Sequence, residues 1–275
     1  MKKYLAMLCA TMLCVCCLAL AACGGSSSSS AAASGSASAS ASASASSSAA
    51  QATFVGDWKL AAIEYENIMM SGDFDAMFGD GMNMTLSIKE GGTGTMGFGG
   101  DTTNIKWTEK GADAISITPE ATSENPNPQT FDATLKDGAL SMLMEQDSFS
   151  GTVFFTKDGT YAGATAISVD NAKPITSEDA LVGTWNLIGM NMLGINMFGS
   201  GEDLSAMAGG TDTAITFEKG GKVTFMGEST TYTVGADGAA IAEGDLSVPI
   251  KALDNNILID MSDLLGMQMV MVFSK

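Results

Sequence analysis

The chain has 275 residues, with 31 acidic side chains against 13 basic ones and a formal net charge of −18. That acidity makes nucleic acid and anionic surfaces poor partners and reads as a solvated exterior. There is no His, and all five Cys lie in the first 23 residues, so the usual acid–base, nucleophile and zinc-ligand sets are missing from the rest. Carboxylates are plentiful but no motif pairs them, so neither an enzyme nor a cofactor is expected.

At the N-terminus Lys2 and Lys3 precede an apolar run from Tyr4 to Leu20, which ends in Leu20-Ala21-Ala22-Cys23-Gly24. A basic start, a short apolar core and small residues before a cleavage point are the parts of a secretory signal. The run is also at the lower limit for a spanning helix, so a retained transmembrane anchor is the competing reading. Leu20-Ala21-Ala22-Cys23 resembles the lipobox of bacterial lipoproteins. The resemblance implies cleavage after residue 22, acylation of Cys23 and a membrane partner held through that lipid. The chain is then expected on the extracytoplasmic face of a cell membrane or outer membrane. Loss of Lys2 and Lys3 with the signal takes the formal charge to −20.

Residues 23–52 form the expected tether, almost wholly Ser and Ala beyond the cysteine. Such a segment has nothing large and apolar to bury and cannot offset its conformational entropy by packing. As a random coil it spans about 30 Å.

An internal repeat follows. Val55-Gly56-Asp57-Trp58-Lys59-Leu60 recurs as Val182-Gly183-Thr184-Trp185-Asn186-Leu187, and Asp73-Phe74-Asp75-Ala76-Met77-Phe78-Gly79 as Asp203-Leu204-Ser205-Ala206-Met207-Ala208-Gly209. Leu86-Ser87-Ile88 matches Ile215-Thr216-Phe217, and Phe155-Thr156-Lys157 matches Phe273-Ser274-Lys275, in the same order. The reading is a duplicated domain, with copies at 53–157 and 181–275 and a linker at 158–180 carrying an extra strand near Thr165 to Val169.

Within each copy the apolar period is two, the pattern of strands with one buried face. Met82, Met84, Leu86 and Ile88 form one row; Thr213, Ile215 and Phe217 form its counterpart. Leu140, Met142 and Met144 form another, as do Met267, Met269, Met271 and Phe273. Gly91-Gly92, Gly220-Gly221, Asp137-Gly138 and Asp254-Asn255-Asn256 supply turn residues. Seven or eight consecutive strands per copy favour an antiparallel meander. Between the first and second strands of that meander, residues 66–80 present Phe74, Met77 and Phe78 at helical spacing, and the second copy repeats it with Leu204, Met207 and Ala208. The nearby Asp73, Asp75 and Asp80-Gly81 fail the calcium-loop pattern, and Asp73 and Asp203 read as helix caps.

An antiparallel sheet opened by Gly-x-Trp, then a helical segment and a meander, resembles the lipocalin-like families of the calycin group. The expected fold is therefore all-β: two tandem antiparallel meander barrels, each with a short helix after its first strand. The resemblance implies that Gly56, Trp58, Gly183 and Trp185 plug one end of each barrel. It also implies that Phe74, Met77, Phe78, Leu204 and Met207 lie on lids over an apolar ligand. Lipocalins commonly set an Arg against the tryptophan; this chain has none, and Lys157 and Lys275 stand in the corresponding places.

Seventeen of the 20 methionines lie beyond the signal, many in Met-x-Met pairs that share one face of a strand. They read as core or cavity lining, because thioether side chains fill irregular apolar space. Cu(I) binding is the sharper alternative. The expected function is a cell-envelope lipoprotein binding a small apolar or amphipathic ligand. A structural or protein-interaction lipoprotein with filled barrels is the alternative.

Overall fold

The computed structural model describes residues 54–74, 83–123, 125–146, 149–207, 210 and 212–275. The signal, Cys23, the tether, Met77 and Phe78 lie outside the described residues. Nineteen strands are described, with antiparallel pairing throughout.

The first copy opens with β1 (Gly56–Tyr65) and β2 (Ile68–Gly72). It continues through β3 (Met84–Lys89), β4 (Thr93–Phe98), β5 (Asp101–Glu109) and β6 (Ala114–Pro119). It ends with β7 (Phe131–Lys136), β8 (Ala139–Gln146) and β9 (Phe149–Thr156). From β3 to β9 each strand pairs with the next, and Gly56 to Lys59 of β1 pair with β3. Strand β3 shows the cause of the alternation directly: Met84, Leu86 and Ile88 are buried while Thr85 and Lys89 are exposed.

Between the copies, a two-residue strand β10 (Lys173–Pro174) and a helical turn α1 (Glu178–Leu181) precede β11 (Gly183–Met192). The extra strand of the linker is thus at 173–174, paired with residues 251 and 252, and not at 165–169. Next come β12 (Ile195–Phe198) and helix α2 (Gly201–Met207). The meander then runs through β13 (Ile215–Glu218), β14 (Lys222–Phe225), β15 (Glu228–Gly235) and β16 (Gly238–Glu243). Strands β17 (Leu246–Leu253) and β18 (Asn256–Asp260), a turn of helix α3 (Ser262–Leu265) and β19 (Met269–Ser274) complete it.

One circuit of eight strands closes among the described pairings: β11, then β13 to β19 in order, then back to β11. The other eleven strands lie outside it. This corrects the expected fold of two tandem barrels, each with a short helix. Among the described residues there is one closed barrel and one helix as long as seven residues, α2.

The expected helix at 66–80 also needs correction at its start. Glu66 and Asn67 have φ of +48° and +63° and form a tight hairpin turn, and residues 68–72 are strand β2. Strand β2 then pairs with β12, the matching strand of the second copy: Ile195 faces Gly72, Asn196 faces Ser71, Met197 faces Met70 and Phe198 faces Met69. Residues 62–74 accordingly belong to one compact unit with residues 162–275, and residues 54–61 with 83–161 form another. Alternation is broken in β2, where Met70 and its neighbour Ser71 are both buried, whereas β12 keeps it, with Ile195 and Met197 buried between less buried neighbours.

Candidate functional site

Near the start of β11, a strand of the closed barrel, Trp185 is 5% exposed. Its indole N–H donates to the carbonyl of Leu181 at 2.7 Å, so α1 supplies the acceptor that a buried indole requires. The Lys275 ammonium stands 4.7 Å from the ring centroid, within cation–π range. Gly183 has φ of +126°, and a Cβ there would lie 3.6 Å from the Lys275 stem. The other unit repeats the arrangement: Trp58 donates to the carbonyl of Phe54 at 2.8 Å, with Lys157 5.0 Å from its ring. Lys157 also donates to the carbonyl of Val55 at 3.1 Å, and a Cβ on Gly56 would meet its stem at 3.3 Å. In each unit a lysine ammonium thus lies over the indole.

Sequence reasoning missed two members of this cluster. Phe54 and Leu181 are fully buried, yet only their place four residues before each Trp could have marked them. Trp107 donates its N–H to the carbonyls of Lys89 (2.9 Å) and Thr93 (3.1 Å), and its ring lies 6.5 Å from Phe54. Its counterpart Tyr232 donates its hydroxyl to the carbonyl of Glu218 at 2.9 Å and to the Glu178 carboxylate at 3.1 Å. Different side chains thus fill the same slot by donating to the same turn. Burial first, and the Glu178 contact second, push the Tyr232 phenol up to about 12.

Further along β11, the barrel wall changes chemistry. A bulge between Leu187 and Gly189 lets Met190 share a face with Leu187, because Leu187 faces Phe273 and Met190 faces Met271. Met192 faces Met269 one step further along. All four methionines are buried, at 0% to 1% exposure. They lie on the face that carries Trp185 and Leu187, whose intervening neighbour Asn186 is exposed, so this face is the barrel interior.

Helix α2 sits where β11 forks, its lower half paired with β13 and its upper half with β12. The helix starts at a reciprocal cap: the Ser200 hydroxyl accepts from the Asp203 N–H at 3.1 Å and donates to the Asp203 carboxylate at 2.5 Å. Ser200 is therefore the cap and Asp203 its partner, where the sequence pointed to Asp203 itself. Hydrogen bonds from Ser200, and more weakly from Asn67, hold the Asp203 carboxyl below its ordinary range. Gly201 brings the helix onto β11, a Cβ there lying 3.3 Å from the Leu187 carbonyl. Leu204 and Met207 are buried on its inner side. A Cβ on Gly199 would stand 3.6 Å from Leu204 and 3.0 Å from Ile68, so glycine there lets these two side chains approach each other. Phe74, the one described member of the first copy's apolar trio, is 4% exposed.

Among the described residues, no group of three or more His, Cys, Asp or Glu is placed to hold a metal ion. No described helix is long and apolar enough to cross a membrane. The class these residues define is an all-β antiparallel barrel protein. No family model matches the chain, and no curated protein matches it. Among solved structures it is similar to As-p18, an extracellular fatty acid binding protein, at 12% identity and a TM-score of 0.25. That match covers 38% of this chain and 96% of that one.

Proposed function

We propose that the protein is a cell-envelope lipoprotein, tethered through lipid on Cys23, that binds a small apolar or amphipathic molecule in its barrel interior. The observation that carries the reading is the contrast between the two regions of that interior. Near the start of β11 a rigid indole lies under a lysine ammonium. Further along the wall formed by β11 and β19, four unbranched thioethers line the interior, and a seven-residue helix with Leu204 and Met207 buried packs onto β11. Methionine adapts its shape to varied apolar partners, and a short helix over a fork in the sheet can be displaced without breaking a ladder. Leu204 and Met207, with Phe74, Met77 and Phe78 in the first copy, are the residues proposed to meet the ligand. A second reading is favoured by the inward positions themselves: Trp185, Leu187, Phe217, Phe225, Tyr232 and Phe273 are all buried and large, as a self-filled barrel would have them.

Uptake of a fluorescent fatty acid separates the two. Under the binding reading the protein takes up the probe, Met207→Leu retains uptake, and Met207→Asp weakens it about tenfold or more, which requires only about 1.4 kcal/mol. A wild-type protein that takes up no apolar probe leaves the filled-barrel reading in place.

A further inference from the structure

Four methionines stand side by side across four adjacent strands. Met70 of β2 faces Met197 of β12, Met197 faces Met190 of β11, and Met190 faces Met271 of β19. Directly opposed residues project from the same face, with Cβ atoms about 4.5–5.5 Å apart. The four thioethers therefore form one continuous row, and none is more than 8% exposed.

Core packing alone does not call for methionine here. In the first copy Ile63 faces Met70 as Met190 faces Met197, and Val153 precedes Phe155 by two as Met271 precedes Phe273. Ile63 and Val153 are as well buried as their counterparts. Branched aliphatics thus fill the matching places, and the second copy has sulfur there instead. A methionine sulfur lies two bonds beyond Cβ, so sulfurs of neighbours in the row can meet over the side chain between them. A thioether is a neutral, soft donor that selects Cu(I) over magnesium, calcium or manganese. No thiolate or imidazole competes, since the chain beyond Cys23 has neither Cys nor His.

We propose that Met190, Met197 and Met271, with Met70 beside them, form an all-thioether site for a soft monovalent cation, Cu(I) or its redox-stable analogue Ag(I). This site does not depend on the apolar-ligand reading. Its donors carry no proton to release, so its affinity is the same at pH 7 and pH 5, unlike a site built on thiolate, imidazole or carboxylate.

The test uses the full chain with its five cysteines alkylated, titrated with Cu(I) against a chromophoric chelator, and with Ag(I) followed by native mass spectrometry. The expected result is about one equivalent of either ion, held equally at both pH values, with an all-sulfur shell in X-ray absorption. Met190→Ile with Met271→Val installs the residues the first copy already uses, and Met190→Leu with Met197→Leu gives a second, volume-conserving variant. In whichever variant keeps the wild-type melt, Cu(I) affinity should fall by about tenfold or more. No Cu(I) held by the wild type, undiminished affinity in a folded variant, or affinity that declines between pH 7 and 5 would each overturn the proposal.

Discussion

Replacing Gly72 with alanine tests the seam between β2 and β12 at its most constrained point. Gly72 faces Ile195 at the end of that pairing and has φ of +139°, a conformation that side-chain-bearing residues rarely adopt. A Cβ there would also overlap the carbonyl oxygen of Gly194, which is backbone and cannot swing aside. Gly194→Ala is the matched control, since Gly194 has φ of +91° but open space where its Cβ would go. The control should cost only the positive-φ strain, about 1–2 kcal/mol. Gly72→Ala should cost that strain and, in addition, about 2 kcal/mol for prising the ladder open at its end. In a unit of this size the excess corresponds to a midpoint roughly 5–10 °C below the control. Thermal melts give the difference, and hydrogen exchange gives its location, since protection should be lost first at the amides of residues 68–72 and 195–198. If both variants melt together and protection in β2 is unchanged, the seam does not hold the unit as described.

Two further outcomes follow from particular side chains. Tyr232 keeps its proton in the folded chain above the ordinary phenol value of 10, up to about 12, so the folded state binds more protons than the unfolded state there. Stability should fall as pH rises from 10 toward 12, by about 2 kcal/mol from this group, and Tyr232→Phe should remove that share of the decline; urea melts showing the same slope in both proteins would contradict it. Cys23→Ala should abolish incorporation of labelled palmitate and processing of the signal, and unchanged labelling would exclude the lipobox reading.

Strands with one wet face could be read from the sequence because their chemistry alternates: Ile105 and Trp107 are buried between exposed neighbours in β5, as Met84, Leu86 and Ile88 are in β3. Turns could be read where glycine or a short polar residue must take positive φ, as at Gly91, Gly92, Asp137 and Gly138. Strand β2 could not, since Ile68, Met70 and Ser71 are buried without regular alternation and its partner β12 is more than a hundred residues away. The bulge at Ile188 was equally hidden, because Leu187 and Met190 share a face only once the register with β19 is known. Helix α2 was visible through its Leu204 and Met207 spacing, whereas its true cap lay three residues before the acid that drew attention. The cross-strand row of methionines was out of reach for the same reason as β2: Met-x-Met pairs show which residues share a strand face, but not which strands lie together.

The register at the seam has a property of its own. Each position of β2 meets the mirror-order position of its duplicate, so that Met70 and Met197, the same residue in the two copies, face each other at the centre. That is the pairing two identical chains would make about a two-fold axis. Joined by the linker, the two edges meet at an effective concentration on the order of millimolar, so dilution that would dissociate a pair of unlinked chains leaves this seam closed. It also means that neither edge is left open as a template for another molecule's strand. Duplication has made what would be an association equilibrium into a fixed element of the chain's own architecture.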